Sequence, residues 1–327
     1  MESRVYGVLG ISSIMSNWNA DFSGYPKTTQ SQLIYGSDKA LKYSMKKMWE
    51  EEGKNVLYIK SMKIDEKQKQ VAYRTLKERY EDIFDEKLEA KNKNDIINNL
   101  FSTVDIKNFG ATFAVGKKEN YNVSITGAVQ FGQGFNKYKW TNIEEQAILS
   151  PFKRDVNNGD EKNNKKIDDG EKKEPKEPGA TSIGTKIMCD EAHYFYPFVI
   201  NPLAYKEYKK LGIKNAEYTM EDYKNFKRTA IVSATSFSTN SKEGCENEFA
   251  LFVETEKELY LPNLTEYITF EKGEKLNIID ISGVATILNE FEDRVKNIEI
   301  YYNPYITELI SGINKEKRYN IITQKEV

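Results

Sequence analysis

Histidine occurs once in this 327-residue chain, as His193, and cysteine twice, as Cys189 and Cys245. Two cysteines exclude a disulfide framework and a cysteine-rich zinc site, and a single Cys/His pair four residues apart does not make a metal centre. No run of about 18 apolar residues occurs, so no membrane-spanning helix is expected. The opening residues, MESRVYGVLGISSIM, carry neither a basic leader nor a cleavage site, and we expect a soluble, cytoplasmic protein. An excess of one charge is missing too: 48 Lys+Arg against 50 Asp+Glu leave a net charge of −2, so no global basic field draws in a polyanion. Only seven of those cations are arginine, which makes bidentate phosphate forks few. Walker, GxGxxG, nucleophile-elbow and kinase signatures are absent, and Gly132-Gln133-Gly134 is a bare GxG.

What is present begins with a strand. From Arg4 to Met15 both faces are apolar, as in a central strand, and its glycines and serines predict close packing against the backbone. A long polar, aromatic-bearing loop runs from Asn17 to Gly36. Ser37 then caps a helix that stops at Gly53. Its apolar face holds Leu41, Met45, Met48 and Trp49, and a neighbouring stripe holds Lys39, Lys42 and Lys46. A second strand is expected over 55–64 and a charged helical insert over 65–93.

Past Asp105, the pattern predicts one strand over 122–138, with Thr126, Gln130 and Gln133 facing outward beside Gly127, Gly132 and Gly134. Glycines there leave backbone amides open to a ligand. Lys153 to Gly179 is a low-complexity tract of balanced charge, read as a disordered loop or mobile projection. A strand over 181–202, a helix over 218–234 capped by Thr219, and strands over 246–255 and 297–302 flanking a helix near 284–295 complete the chain. Two strand–helix–strand units within an antiparallel arrangement point to an α+β, ferredoxin-like (RRM-type) sheet with insertions.

For chemistry, the bland readings weigh heavily. A lone histidine is more often a hydrogen-bonded structural residue than a general base for RNA cleavage. Carboxylates lie near one another everywhere in a chain that is 30% charged, so their proximity carries no weight. A lysine row at helical spacing is usually a solvated face, and most aromatics belong to a core. Beside a glycine-rich open strand, that row could also form a track for a phosphate backbone.

Five blocks in order carry a resemblance: YGVLGISSIMSNWNADFSGYPKT, GSDKALKYSMKKMWEEEG, SITGAVQFGQGFNKY, the stretch from Ser182 to Pro202, and GCENEFALFVE. Together they resemble the Cascade backbone subunits of CRISPR systems, the Cas-seven family of the RAMP superfamily, and most of all its subtype I-B branch. The resemblance implies a ferredoxin-like palm (1–64, 108–143 and 186–327), a helical fingers insertion (65–107) and a thumb hairpin (144–185). It implies partners as well: CRISPR RNA, target DNA through the guide, further copies of the chain and other Cascade subunits, with no cofactor and no membrane. Such a subunit must accept any spacer, so it should grip phosphate and ribose and leave base edges to pairing.

Carried over by position, the resemblance assigns RNA contacts to Asn17, Trp18 and Asn19 in the first loop, and to Ser37, Lys39, Lys42 and Lys46 on the first helix. It adds Thr126, Gly127, Gln130 and Gly132 in the glycine-rich strand, and Gly184, Thr185 and Lys186 in the thumb. No catalytic and no metal residue is expected. The rival from the enzyme class is a RAMP endoribonuclease acting on CRISPR or target RNA, through His193 or through Asp38 with a divalent metal. A monomeric single-strand RNA-binding module is the third reading.

Overall fold

Strand β1 (Arg4–Ser16) is the spine of the computed structural model, which describes residues 1–115, 121–149 and 182–327. A two-residue strand β2 (Tyr35–Gly36) leads into α1 (Asp38–Glu51), a hairpin of β3 (Met62–Asp65) and β4 (Gln70–Tyr73), and helices α2 (Leu76–Phe84), α3 (Lys93–Phe101) and α4 (Val104–Phe109). Strands β5 (Gly110–Phe113) and β6 (Val123–Thr126) pair with each other; β7 (Val129–Phe131), β8 (Gly134–Asn136) and β9 (Ile143–Leu149) follow. The long β10 (Ser182–Ile200) then leads to α5 (Lys206–Lys210), α6 (Met220–Ala230), α7 (Ser233–Ser236) and β11 (Cys245–Thr255). Last come β12 (Thr269–Lys272), β13 (Asn277–Asp280), α8 (Ser282–Glu290), β14 (Val295–Tyr302), β15 (Thr307–Ile310) and β16 (Glu316–Asn320).

The main sheet runs β16-β14-β11-β1-β10-β8-β2, with β7 and β9 also paired to β10. Strand β1 lies between β10 and β11 and is antiparallel to both. Those two flanking strands are joined in the chain through α6. In turn β10 lies between β1 and the β7/β8 pair, which are joined through α1 and the segment after it. Two strand–helix–strand units are therefore interleaved, each straddling a strand of the other.

Each face of the sheet has its own core. One face sets Val5, Leu9 and Ile11 of β1 against Leu41, Met45 and Trp49 of α1 and Phe226 of α6. The other sets Tyr6, Val8 and Phe249 against Phe270, Ile279, Val284 and Leu288, from the C-terminal β12–β13–β15 sheet and α8. A buried apolar side chain contributes about 1.5–3 kcal/mol, so three on α1 outweigh its intrinsic propensity, and packing holds the helix. The glycines of β1 answer to contact: a Cβ at Gly7 would fall 2.2 Å from the Phe198 ring.

Three sequence expectations are corrected. The stretch 55–61 is not a strand: the Asp105 carboxylate accepts the N–H groups of Leu57 (3.0 Å) and Tyr58 (2.8 Å) and holds that backbone without a ladder. The strand that does form, β3, pairs with β4 in a separate hairpin, so the helical insert starts at Leu76 and not at Asp65. The single strand over 122–138 is three short ones. Pro197 on the facing β10 has no N–H to donate, and the ladder breaks there, between β7 and β8. The tract 153–179 lies outside the described residues.

Candidate nucleic-acid interface

The loop after β1 is held by short bridges, Ala20 with Pro26 and Thr28 with Ile34. At its root Asn17 and Trp18 are buried. Asn17 Nδ2 donates to the carbonyls of Gly24 (2.9 Å) and Ile187 (3.2 Å), and Trp18 Nε1 donates to Tyr196 Oη at 2.6 Å. In the isolated chain these two side chains position the loop from beneath. Asn19 is half-buried, and its Oδ1 accepts the Ser37 N–H at 2.8 Å, fastening the loop to the start of α1.

Ser37 is the N-cap of α1, its hydroxyl accepting the Ala40 N–H. The lysine stripe that follows is graded along the helix. Lys39 is exposed and, among the described residues, makes no ion pair. Lys42 pairs with Asp38 at 2.9 Å and lies over the Phe109 ring, 5.4 Å from its centre. Lys46 is folded inward: its Nζ donates to the Tyr58 carbonyl (3.2 Å) and stands 4.0 Å from Asp105. Burial lowers its pKa, with the Asp105 charge opposing that shift.

The glycine-rich segment divides. Gln133 reaches the first turn of α1, where its amide oxygen accepts the Asp38 N–H at 3.3 Å. Burial works to raise the Asp38 pKa, but the bonds from Lys42 and Gln133 outweigh it, and the carboxyl sits below its usual range. Thr126 is exposed, whereas Gly127 is jammed against the Phe109–Gly110 backbone. Gln130, whose Nε2 donates to the Gly127 carbonyl at 2.8 Å, lines with Gly132 an apolar groove of about 400 Å³ beside Tyr6 and Leu261. That groove opens on the face of the C-terminal sheet, away from α1.

On the β9–β10 ladder Gly184 and Thr185 are exposed, and Lys186 donates to Asn240 Oδ1 at 3.4 Å. The structure thus gathers Asn19, Ser37, Lys39 and Lys42 with Gln133, and ties their loop to the ladder root through Asn17 and Ile187. It leaves Lys46 and Gln130 elsewhere. Two participants were not among the assigned contacts. Gln133 was read as facing outward, but in a bare GxG it was given no contact. Lys242 donates to the Asn17 carbonyl at 2.7 Å and to the Trp18 carbonyl from 225 and 224 residues away, a separation that leaves no local signal.

The groups an endonuclease would use are engaged. His193 is fully buried, with Glu248 2.7 Å from Nδ1 and Glu191 3.2 Å from Nε2. Asp38 is tied to Lys42 and Gln133.

A model of the family described as "CRISPR-associated protein Cas7" matches residues 3–293. No curated protein matches the chain. Among solved structures, a chain of a "CRISPR RNA-guided surveillance complex, pre-nicking" is similar at 14% identity and a TM-score of 0.47, covering 97% of this chain and 96% of that one. Another, from a "CRISPR RNA-guided surveillance complex", has 14% identity and a TM-score of 0.41, covering 92% and 94%.

Proposed function

This chain belongs to the CRISPR-associated protein Cas7 family, and from that premise we propose that it is a crRNA-binding backbone subunit which oligomerises along a guide RNA and presents it for pairing with target DNA, in a type I-B Cascade complex. The observation that carries the reading is the family match over residues 3–293. The geometry agrees with it: an open lysine, a capped helix start and polar amides meet at one junction beside a two-stranded ladder. Those are groups that hold a phosphate backbone without reading bases.

In this reading the interleaved β1, β7/β8, β10 and β11 form a ferredoxin-like palm, the segment 65–107 forms the fingers, and the β9–β10 ladder is the root of the thumb. Asn17, Trp18 and Lys242 position the loop, while Asn19, Ser37, Lys39, Lys42, Gln133, Thr185 and Lys186 face the strand. We propose no catalytic activity. His193 is fully buried with a carboxylate beside each ring nitrogen, out of reach of a bound strand.

The test is to express the chain with a single CRISPR RNA, purify the particle and map nuclease protection. Regularly spaced protected segments on a multi-subunit particle are expected. One short protected patch on a monomer would sink the filament, and specific cut ends that vanish in His193→Ala or Asp38→Ala would make it an enzyme.

A further inference from the structure

The sole histidine sits where three parts of the fold meet. Its ring is on β10, four residues beyond the last pair of the β9–β10 ladder at Cys189. Glu248 on β11 approaches Nδ1 at 2.7 Å, and Glu191 on β10 approaches Nε2 at 3.2 Å. From the C-terminal sheet, Phe270 of β12 stacks on the ring at 3.8 Å, and Lys272 pairs with Glu191. Tyr138 meets the ring edge-on at 6.0 Å, and the neighbouring Lys137 turns its ammonium away to the Thr265 carbonyl. Neutral imidazole has one N–H and one lone pair. With an ionised carboxylate at each nitrogen, a lone pair would face an oxygen anion, and Lys272 pairs with Glu191. The doubly protonated ring donates to both carboxylates.

We propose that His193 is a buried imidazolium, the central link of an alternating chain Glu248–His193–Glu191–Lys272 that clasps the C-terminal β12–β13–β15 sheet to the root of the β9–β10 ladder and lets go at alkaline pH. Three backbone contacts connect the clasp to that root. Lys137 N–H donates to the His193 carbonyl (2.8 Å), His193 N–H to Asn136 Oδ1 (2.8 Å), and the Thr141 hydroxyl to the Glu191 carbonyl (2.6 Å). Losing the ring's proton would leave Glu248 buried beside a neutral ring, with its other oxygen, Oε1, already lacking a partner among the described residues.

Burial pushes the His193 pKa down, but the charges and hydrogen bonds of Glu248 and then Glu191 outweigh it, and the value stands above the ordinary one. The sign follows. A group whose folded pKa is raised stabilises the fold fully below its unfolded pKa of about 6.5. That contribution is lost as pH rises from there through the folded value. The clasp is therefore closed below about pH 6.5 and opens as pH rises through the folded value, which we place on the alkaline side.

With one histidine in the chain, nitrogen NMR of the full-length protein reads the ring without assignment. Both ring nitrogens are expected in the protonated range at pH 7, with a midpoint above 6.5. A neutral tautomer at pH 7 would overturn the proposal, and that reading needs no variant. Glu248→Gln should lower the midpoint by more than a unit, whereas Lys272→Met should raise it. If Glu248→Gln does not fold, Glu191→Gln, whose partner is more exposed, supplies the same comparison with a smaller drop. Limited proteolysis should cut near β12 faster at pH 9 than at pH 7 in the wild type, with the contrast erased in Glu248→Gln. A contrast that survives there would overturn the clasp while leaving the charged ring standing.

Discussion

The two ends of the lysine stripe on α1 share a residue type, a helix and a spacing, yet the fold gives them different work. Lys39 stands in the first turn, exposed and without an ion pair among the described residues. Two turns on, Lys46 is drawn under Tyr58 and against Asp105, a carboxylate that also orders the backbone at Leu57 and Tyr58. Spacing puts both on one stripe, but what packs beside the helix decides which one meets a ligand. Lys42 lies between them in behaviour as in position: it is paired with Asp38, and that pair is partly buried.

The sharpest way to break the comparison is at a residue whose two readings diverge most. Gly127 was read as an open glycine for a ligand, and it is a packing glycine in the structure. A Cβ there would lie 2.1 Å from the Phe109 carbonyl carbon and 2.3 Å from the Gly110 nitrogen, both backbone atoms that move little. Gly127→Ala is expected to cost about 3 kcal/mol or more, the upper range of overpacking, measured by chemical denaturation without RNA. An unchanged denaturation midpoint paired with weakened RNA binding would restore the ligand reading.

Lys46→Glu comes next. It would set a second carboxylate beside buried Asp105 and remove the donor to the Tyr58 carbonyl, so about 3 kcal/mol of stability should go. The loss should appear in the free protein. Loss confined to RNA affinity would mean that the side chain swings outward on binding and that the inward pose belongs to the unbound chain only.

How much of this could be read beforehand follows from where each partner lies in the chain. The caps at Ser37 and Thr219, the apolar face of α1 and the doubly apolar β1 are local patterns, and they stand as read. The errors share a cause. The segment 55–61 is governed by Asp105, 47 and 48 residues away, and the break in the glycine-rich strand is governed by Pro197 on a facing strand. Periodicity has no access to either. In the candidate interface, Ser37 and Lys39 were visible as a cap and a charge, whereas Lys242 became visible only when the fold brought it under Trp18.

The smallest expected effect sharpens the comparison most, because it isolates the open end of the stripe. Lys39→Glu should leave folding stability within about 0.5 kcal/mol, as for exposed positions without structural partners. RNA affinity should nonetheless fall about equally for unrelated sequences, since a phosphate contact carries no base information. The slope of log affinity against log salt should become shallower by about one for the contact removed. Titrating wild type and variant with two unrelated single strands at three salt concentrations measures all of this together. A sequence-dependent loss would move Lys39 from the phosphate track to base readout. No loss at all, with Lys42→Glu active in the same assay, would shift the track one turn along α1, to the lysine that must first release Asp38.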